Sequence, residues 1–500
     1  MYRFLFSILF LSLSLSAEKK PNILFIYTDD QSHRTVSCYE EAHKWVKTPN
    51  IDKLAEQGVR FKSAYIGTWC MPSRFTMLTG LLQPRMNSVK MTGKYPASTY
   101  DPEVLKFWPK VFRENGYTTA HVGKWHTGVD TGYGRDWDYQ IVWNRPGYPD
   151  NAFHYYYDQQ IEENGKALGI VGGYSTDNYT KWADNYLKGK NRDSSKPWAL
   201  WLCYAGSHGP FTPADRHLNE YPDFSFTPPE DVFPPRAGKP AYVENRDTWI
   251  PDENGKAILK QGTGIHGNSL KDMVRQYQQS VLAIDEGIGK IIQTLKDTGQ
   301  YDNTIIIFTS DQGFAWGHHG FKLKVAPYDD NLKAPFIISY PKEYPQNKVV
   351  KSHVSGADIA PTIFEMAGIK APWDMDGRSL MPLIKNPDLK WDYPVLMTYS
   401  VYFYGEDTQE IPTDPKKLYH KSGVPWWSSI TKGKYKYIQT LVKGEIPELY
   451  DLESDPAELN NLALKDEYKE TVKKLRTEMI SELKRTKVGF ADSLPEVGGK

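Results

Sequence analysis

The sequence has little cysteine and no excess of either charge. Its 500 residues include only Cys38, Cys70 and Cys203, too few for the disulfide frameworks that support small secreted folds. Lysine plus arginine and aspartate plus glutamate both number 61. This balance argues against a dedicated nucleic-acid-binding protein, although a few local cations can still hold an anionic substrate in a neutral chain.

Long apolar runs are absent after the first residues of the chain. The stretch 4–15 is apolar and serine-rich, follows Arg3 and precedes the small residues Ser16 and Ala17. This order predicts a secretory signal peptide over residues 1–17. A membrane anchor is the weaker alternative, because a span needs about 20 apolar residues. We therefore predict an exported protein, periplasmic or secreted, with no membrane span in its mature form.

Buried strands alternate with helices over the first three quarters of the sequence. Apolar runs predict strands over 22–28, 118–122, 197–204, 303–309 and 335–340, and helical spacing predicts helices over 49–58, 104–115 and 270–298. The alternation predicts an α/β fold whose central sheet is mainly parallel and flanked by helices. Two stretches rich in proline, glycine and aromatic residues, 132–158 and 211–267, are predicted to be long irregular loops.

The pattern changes near residue 385. Short strands separated by turns are predicted over 393–399, 427–431, 434–439 and 448–452, followed by a helix over 466–486. We therefore predict a large domain over 18–385, which holds the candidate site residues described below. A smaller C-terminal α+β subdomain with an antiparallel sheet is predicted over 386–500.

Cys70 differs from the other two cysteines in its neighbours. The segment Cys70-Met71-Pro72-Ser73-Arg74 is followed by Leu78-Thr79-Gly80. Proline suits the first turn of a helix, which would place Cys70 at a helix N-terminus, where free N–H groups and the dipole favour an anion. Arg74 would project toward the same end. The residues alone indicate either a reactive cysteine in an anion site or a buried cysteine before an ordinary helix.

This segment resembles the signature of the type I sulfatases, which belong to the alkaline phosphatase-like superfamily. Other landmarks of that family recur in order across nearly the whole chain after the signal peptide. The resemblance implies an alkaline phosphatase-like fold and hydrolysis of sulfate esters. It also implies that a formylglycine-generating maturation enzyme oxidises Cys70 to formylglycine (3-oxoalanine).

Two pairs of oxygen-bearing residues follow predicted strands. Asp29-Asp30 follows the strand 22–28, and Asp311-Gln312 follows the strand 303–309. Such hard oxygen ligands suit Ca²⁺ or Mg²⁺, and the lack of a paired histidine and cysteine set argues against zinc. The resemblance implies that these four positions and residue 70 bind one divalent cation, usually Ca²⁺. Gln312 departs from the asparagine or histidine usual in the family, and a solvated turn at Asp29-Asp30 is the alternative.

Further landmarks supply cations and histidines. Gly123-Lys124-Trp125-His126 resembles the family's Gly-Lys-Trp-His segment, which implies that Lys124 contacts the sulfate and that His126 is the base acting on hydrated formylglycine. His208 follows Ser207 where the family usually has proline, and it would bind sulfate or protonate the leaving alcohol. A surface lysine and a structural loop histidine are the respective alternatives.

The segment Gly317-His318-His319-Gly320 precedes Lys324 and resembles the family's Gly-x-His-Gly followed by lysine. Lys324 would bind the sulfate, and His318 and His319 would line the substrate site. A histidine-rich surface turn is the alternative if the segment is considered by itself.

The composition favours a carbohydrate as the sulfated substrate. The chain has 15 tryptophans and 33 tyrosines, and aromatic faces suit sugar rings. Several lie in predicted loops: Tyr133, Trp137, Tyr139, Trp143, Tyr148, Tyr155, Tyr156, Tyr157, Tyr402, Tyr404 and Trp426. They could equally pack those loops onto the core. The competing functions are a formylglycine-dependent phosphonate or phosphodiester hydrolase of the same superfamily and a non-catalytic relative that binds sulfated glycans.

Overall fold

The computed structural model describes residues 19–92, 97–261 and 268–497, so the predicted signal peptide lies outside the described residues. The α-helices in these ranges are α1 (Pro49–Glu56), α2 (Cys70–Thr79), α3 (Trp108–Glu114), α4 (Ser175–Leu187), α5 (Ala241–Glu244), α6 (Leu270–Asp297), α7 (Asp329–Leu332), α8 (Ile359–Met366), α9 (Met381–Lys385), α10 (Pro415–Leu418) and α11 (Lys469–Arg485). None of these helices has the length and apolar character needed to cross a membrane.

The strands differ widely in length. They are β1 (Asn22–Thr28), β2 (Val59–Tyr65), β3 (Lys90–Met91), β4 (Ser98–Thr99), β5 (Thr118–Trp125), β6 (Tyr139–Asn144), β7 (Gln159–Glu163), β8 (Lys166–Val171), β9 (Trp198–Cys203), β10 (Trp249–Pro251), β11 (Ala257–Leu259), β12 (Thr304–Ser310), β13 (Lys333–Ala334), β14 (Phe336–Ser339), β15 (Lys348–Ser355), β16 (Val395–Tyr399), β17 (Trp427–Lys432), β18 (Tyr435–Thr440) and β19 (Glu448–Asp451).

Eleven strands form the central sheet, in the order β13-β2-β14-β12-β1-β9-β5-β6-β7-β8, with β15 also paired to β2. The five neighbours from β12 to β6 are mutually parallel. The strands β14 and β7, on either side of this group, run antiparallel to it, as does β13. The other eight strands of the sheet share one direction, which confirms the predicted α/β fold with a mainly parallel sheet.

Helices cover both faces of this sheet. Alternate residues of β1 point to opposite sides, so that Phe25 belongs to one hydrophobic core and Ile26 to the other. Helices α1, α4 and α6 pack on the face of Ile26, and α2, α3 and α8 pack on the opposite face. A strand buried on both faces is a continuous apolar run, which explains why these strands could be predicted from sequence.

Three sequence predictions about local structure were wrong in part. The predicted helix 104–115 begins only at Trp108, because Pro109 suits the first turn of a helix and the residues before it are not helical. The stretch predicted as an irregular loop over 132–158 contains β6, a buried strand paired with β5. The second predicted loop, 211–267, contains α5 and the hairpin β10–β11 in its described part.

A separate sheet follows the large one in the chain. Strands β16 to β19 form a four-stranded antiparallel sheet, and α11 packs against it. This arrangement confirms the predicted C-terminal α+β region. Its core is continuous with the core on the α2 face of the large sheet, so the C-terminal sheet packs directly on the larger unit. The boundary at residues 385 and 386 stays a prediction.

Candidate active site

The carboxyl ends of the parallel strands bring together residues that are far apart in sequence. Asp29 and Asp30 follow β1, Asp311 follows β12, and Lys124 lies near the end of β5. Because β12, β1 and β5 belong to one group of parallel strands, with β9 between β1 and β5, their carboxyl ends lie at one edge of the sheet, where ligands bind in α/β folds. A hydrogen bond joins the ends of β1 and β12, since the Asp30 N–H donates to Asp311 Oδ1 at 2.7 Å.

Helix α2 delivers Cys70 to this edge. Cys70 is the first residue of the helix, as predicted, and the helix ends at Gly80, whose left-handed backbone (φ 71°) lets its N–H donate to the Thr76 carbonyl at 2.8 Å. The Cys70 side chain is only 3% exposed. Its Sγ lies 3.3 Å from Asp29 Oδ1 and 2.9 Å from the ammonium of Lys324.

Asp29 is held by two cations. Arg74 Nη2 donates to Asp29 Oδ2 at 2.8 Å, and the Lys124 ammonium forms an ion pair with the same oxygen. Burial raises the pKa of Asp29, but Lys124 and Arg74 lower it further, so that the pKa lies well below its ordinary value. Asp29 is therefore ionised, and Arg74 and Lys124 are fixed beside Cys70.

Asp30 is the second centre of contacts. Its φ of 57° is unusual for a residue other than glycine and turns the chain sharply at the end of β1. Oδ1 accepts from the Lys324 ammonium and from the Gln312 amide Nε2. Tyr277 donates its hydroxyl to the Asp30 carbonyl and so fixes the turn from helix α6.

Three carboxylates this close disfavour one another's ionisation. Burial, and then the charges of Asp29 and Asp30, raise the pKa of Asp311 to about 8. Asp311 Oδ2 and Gln312 Oε1 are buried and have no hydrogen-bond partner. Buried acceptors are rarely left unpaired, so these two oxygens call for a further partner.

The donor set fits a hard divalent cation. Ligand atoms of Asp29, Asp30, Cys70 and His208 all lie within 4.8 Å of one another. Asp311 and Gln312 adjoin this group, and a half-turn of the Gln312 amide would exchange Nε2 for the unpaired Oε1. Carboxylate and amide oxygens are the ligands that Ca²⁺ and Mg²⁺ prefer. The geometry thus brings the five predicted metal ligands together, with His208 beside them.

His208 lies against an aromatic side chain that closes one side of the site. Its ring stacks on Tyr155 with centroids 3.8 Å apart, and Nε2 lies 3.1 Å from the Tyr155 hydroxyl and 3.6 Å from Asp30 Oδ2. The Gly209 carbonyl is 2.6 Å from Nδ1 and fixes the proton on that nitrogen. Burial, then Lys324, holds the pKa of His208 well below its ordinary value, so the imidazole is neutral.

His126 is fully buried, and its main partner is Arg145. Arg145 Nη1 is 2.6 Å from its Nε2 and therefore donates to it. Burial, then Arg145, lowers the pKa of His126 well below its ordinary value. The same guanidinium lies 5.4 Å from the ring centre of Tyr155, which in turn faces the Lys124 ammonium at 5.0 Å. Arg145 and Tyr155 thus connect His126 to the residues around Cys70.

The predicted substrate-binding residues, His318 and His319, contact residues outside the Cys70 group. His318 Nδ1 lies 2.8 Å from Asp330, and its Nε2 lies 2.7 Å from Arg34. His319 is buried, with Nδ1 2.7 Å from Asp231 and its ring on Tyr328. These partners lie outside the group of residues around Cys70. Their substrate-binding role stays a prediction.

Three residues of the site were missed or misjudged from sequence. Arg145 directly follows β6, so its place at the carboxyl end of a strand was hidden when 132–158 was predicted as a loop. Tyr277 looked like an ordinary core residue of a long amphipathic helix, and nothing in its spacing indicated the Asp30 contact. Tyr155 was considered as a sugar contact or as a residue that packs its loop onto the core, and its stacking on His208 was not anticipated.

The aromatic residues of the predicted loops divide into two groups. Seven of them are buried and pack the fold, as the alternative interpretation expected: Trp137, Tyr139, Trp143, Tyr155, Tyr156, Tyr404 and Trp426. The other four keep part of their surface exposed: Tyr133, Tyr148, Tyr157 and Tyr402. Phe153, which composition alone did not single out, is 66% exposed and lies 5.7 Å from the Arg145 guanidinium.

A mainly parallel sheet with carboxylates, a thiol and fixed cations at the ends of its strands defines a hydrolase of anionic esters. Residues 21–369 match the family model described as Sulfatase, and residues 317–485 match the model described as N-sulphoglucosamine sulphohydrolase, C-terminal. The chain belongs to the sulfatase family, within the alkaline phosphatase-like superfamily, and is a sulfuric ester hydrolase.

Curated relatives and solved structures agree with this assignment. An N-acetylglucosamine-6-O-sulfatase of Bacteroides thetaiotaomicron is 29% identical, over 96% of this chain and 88% of the relative. An arylsulfatase of Clostridium perfringens is 27% identical, over 95% and 96% of the two chains. A structure solved in complex with its substrate D-glucosamine-2-N,6-O-disulfate is 26% identical, with a TM-score of 0.77 over 94% and 98% of the two chains. These comparisons do not favour the alternatives of a phosphonate hydrolase or a non-catalytic relative.

Proposed function

We propose that this sulfatase carries formylglycine at position 70, binds one Ca²⁺ and removes sulfate from a sulfated carbohydrate. Mg²⁺ is the alternative ion. The observation that supports the proposal most directly is the environment of Cys70, whose Sγ lies at a helix N-terminus between Asp29 and the Lys324 ammonium. A residue at this position is surrounded by groups that can bind a sulfate and by carboxylates that can bind a divalent cation.

The cation and the formylglycine would each make a defined contribution. The residues that would hold the cation are Asp29, Asp30, Asp311, Gln312 and residue 70, and the bound ion would neutralise charge on a sulfate oxygen. Hydrated formylglycine would offer one hydroxyl to attack sulfur and a second whose loss of a proton releases the sulfate, which serine and unmodified cysteine lack.

The residues of this chain do the remaining work. Arg74, Lys124 and Lys324 balance the three aspartates in charge, so a bound divalent cation leaves the pocket positive and attractive to an anionic ester. The Lys124 and Lys324 ammonium groups then bind the sulfate oxygens and stabilise the charge that grows on them.

The two histidines move protons. An anionic ester beside His208 Nε2 would raise the pKa of that imidazole, which lets it take up the proton that the attacking hydroxyl releases and pass it to the departing alcohol. His126 is neutral and can accept the proton that frees the sulfate. Arg145 donates to His126 Nε2 and would have to release it first.

The modification of Cys70 is tested on protein isolated in active form. Mass spectrometry of the peptide that contains residue 70 should show a loss of about 18 Da from the cysteine mass, and Cys70→Ala and Cys70→Ser should lower sulfatase kcat by at least about 10³-fold. Cys38→Ser is the control, because Cys38 is half-buried and contacts Asp52, outside the site. Full activity with unmodified Cys70 would overturn the proposal.

Exposed aromatic rings at the site support a carbohydrate substrate. Phe153 presents a free face beside Arg145, which contacts His126. Tyr402 lies edge-on to Trp69, the residue immediately before Cys70, with ring centroids 5.7 Å apart. Flat aromatic faces at the rim of a sulfate pocket suit a sugar ring attached to the ester. The glucosamine-directed relatives named above agree with this substrate class.

A substrate panel tests this part of the proposal. Sulfated mono- and oligosaccharides should be hydrolysed with higher kcat/KM than small aryl sulfates. Phe153→Ala should raise KM for the saccharide about tenfold and leave the aryl ester unaffected. Tyr133→Ala is the matched control, because Tyr133 is also an exposed aromatic (43%) but precedes β6, at the opposite edge of the sheet. Activity confined to aryl sulfates would refute the carbohydrate assignment.

Export is a separate proposal and is supported by the pattern of residues 1–17 alone. In a host that recognises the signal, N-terminal sequencing of the protein outside the cytoplasm should begin close to residue 18. An intact N-terminus on fully active cytoplasmic protein would contradict it.

A further inference from the structure

Lys324 is the sulfate-binding lysine expected from the resemblance, yet it lies on no regular element. It belongs to the segment between β12 and α7; the chain leaves the sheet after Ser310 and rejoins it only at β13, beyond α7. Its ammonium contacts both Cys70 Sγ and Asp30 Oδ1. A flexible four-carbon side chain keeps such contacts only if its backbone is fixed.

The backbone next to Lys324 is strained. Val325 has a φ of 78°, a left-handed conformation that a β-branched side chain rarely adopts. Among the described residues, Val401 is the only other β-branched residue with a positive φ. Such a conformation persists only where the surroundings enforce it. The side chain of Val325 is buried, so neighbouring residues enclose it and can enforce this conformation.

The C-terminal sheet supplies the contact that enforces this conformation. Trp427, the first residue of β17, donates its indole N–H to the Val325 carbonyl at 2.9 Å. The ring is fully buried and cannot swing away without opening the interface. The bond fixes the peptide plane between Val325 and Ala326, which constrains the left-handed turn at Val325. Because Val325 directly follows Lys324, this turn also constrains the backbone that carries the lysine side chain.

Two further contacts anchor the segment just downstream. Tyr328 donates its hydroxyl to Glu448 at 2.8 Å, and the Asp329 N–H donates to Glu458 at 2.6 Å. Both acceptors belong to the C-terminal region. The segment that carries Lys324 is therefore held from the C-terminal region at three points, of which the Trp427 contact is the nearest to Lys324.

We propose that Trp427 is a positioning residue, whose hydrogen bond to Val325 holds the strained turn that aims Lys324 at residue 70. This assignment rests on the proposed role of Lys324 in binding the sulfate. It gives the C-terminal sheet a part in the reaction without placing any of its atoms on the substrate.

The test compares two adjacent tryptophans. Trp427→Phe keeps an aromatic ring at this position but removes the indole N–H donor. Trp426→Phe is the matched control, because Trp426 is equally buried and donates to Lys417, which is not part of the Lys324 segment. Trp427→Phe should lower kcat about 10- to 100-fold, and Trp426→Phe should stay within about threefold of the wild type at a similar loss of thermal stability.

A second substitution separates positioning from general destabilisation. Glycine adopts positive φ without strain, so Val325→Gly should hold the turn without the tether. The double variant Val325→Gly/Trp427→Phe should recover kcat to within about threefold of Val325→Gly alone. Equal kcat losses for the two tryptophan variants, or a double variant no better than Trp427→Phe, would overturn the assignment.

Amide hydrogen exchange provides a readout that needs no substrate. In folded Trp427→Phe protein, peptides covering residues 322–327 should exchange faster than in Trp426→Phe, and unchanged exchange would also overturn the assignment. A wild-type enzyme that hydrolyses no sulfate ester would contradict the proposed function instead, whatever the exchange shows. The two failures are therefore distinguishable.

Discussion

Two groups of buried charges in this molecule use the same residue types for different ends. The Cys70 cluster comprises Asp29, Asp30, Cys70, Arg74, Lys124, Asp311, Gln312 and Lys324. The Lys436 cluster comprises Lys239, Asp329, Lys436, Glu448 and Glu458, where the C-terminal sheet meets the large one. In the first, three aspartates adjoin one another. In the second, Lys436 lies between Asp329 and Glu458, 2.9 and 2.8 Å from their oxygens.

The difference shows what each cluster is built to do. Adjacent carboxylates repel, and the three aspartates of the Cys70 cluster adjoin one another, with Asp311 Oδ2 and Gln312 Oε1 lacking a hydrogen-bond partner. Such an arrangement is costly in isolation and favours the binding of a cation and an anion. Glu448 Oε1 and Glu458 Oε1 of the Lys436 cluster also lack a hydrogen-bond partner, but Lys436 lies 2.8 Å from Glu458 Oε1 and pairs with it in charge. In the Lys436 cluster, Lys436 bridges Asp329 and Glu458 and Lys239 lies 3.6 Å from Glu448, so each of the three carboxylates already faces a lysine of the chain. A buried charge is stable only when it is paired with an opposite charge. In the Lys436 cluster these partners belong to the chain, whereas the Cys70 cluster keeps oxygens that suit a bound cation.

The largest expected effect comes from breaking the cation side of the Cys70 cluster. After chelation the enzyme should lose at least about 100-fold in kcat/KM and regain it with Ca²⁺, because the ion would neutralise charge on the sulfate. Asp311→Asn should raise the Ca²⁺ concentration for half-maximal activity by at least about tenfold, since it removes a charged ligand. The measurement is a Ca²⁺ titration of activity after dialysis against chelator.

The matched control is Asp285→Asn. Asp285 is another buried aspartate, but it accepts from the backbone N–H groups of Asn50 and Ile51 and so caps helix α1. Its substitution should lower stability and leave the Ca²⁺ titration unchanged. Equal titrations for the Asp311 and Asp285 variants would show that Asp311 does not bind the cation.

The next effect comes from the Lys436 cluster. Lys436→Met should cost about 3–5 kcal/mol of unfolding free energy, because it leaves Asp329 and Glu458 buried without their shared cation. Lys434→Met is the control, since Lys434 pairs with Asp451 at the surface and its removal should leave the unfolding midpoint unchanged. Urea unfolding by fluorescence measures both. A loss no larger than that of the control would remove the contrast between the two clusters.

The same comparison explains what sequence could and could not predict. Asp29, Asp30 and Asp311 follow apolar runs, and parallel strands must end at a common edge, so their meeting followed from local pattern plus one rule of topology. Cys70 and Arg74 followed from a helix-start motif. None of these steps required knowledge of the C-terminal region.

The Lys436 cluster offers no comparable signal. Lys436 alternates with apolar residues along β18 like any surface lysine, and only the packing of one sheet on another makes it buried. The strain at Val325 and the contacts of Arg145 and Tyr277 also depend on packing between distant segments. Sequence therefore predicted the groups at the ends of strands that it had recognised. It missed those that depend on an unrecognised strand, on helix packing or on the interface between the two sheets.

The smallest expected effect comes from His33, a buried titratable group outside both clusters. Burial, then Lys333, lowers the pKa of His33 from 6.5 to about 4. In the unfolded chain the imidazole becomes protonated below its ordinary pKa, whereas in the folded protein it stays neutral down to about pH 4. The unfolded state thus binds more protons in this window, and stability is lost as the pH falls from 6.5 to 4.

His33→Gln should flatten that part of the stability profile by about 3 kcal/mol between pH 6.5 and 4, at about 1.4 kcal/mol per pKa unit. Urea midpoints measured at steps across this range test it. His154→Gln is the control, because His154 is exposed and its loss should leave the profile unchanged. Parallel profiles for wild type and His33→Gln would show that the charges of the two clusters, rather than single neutral groups, account for sensitivity to acid.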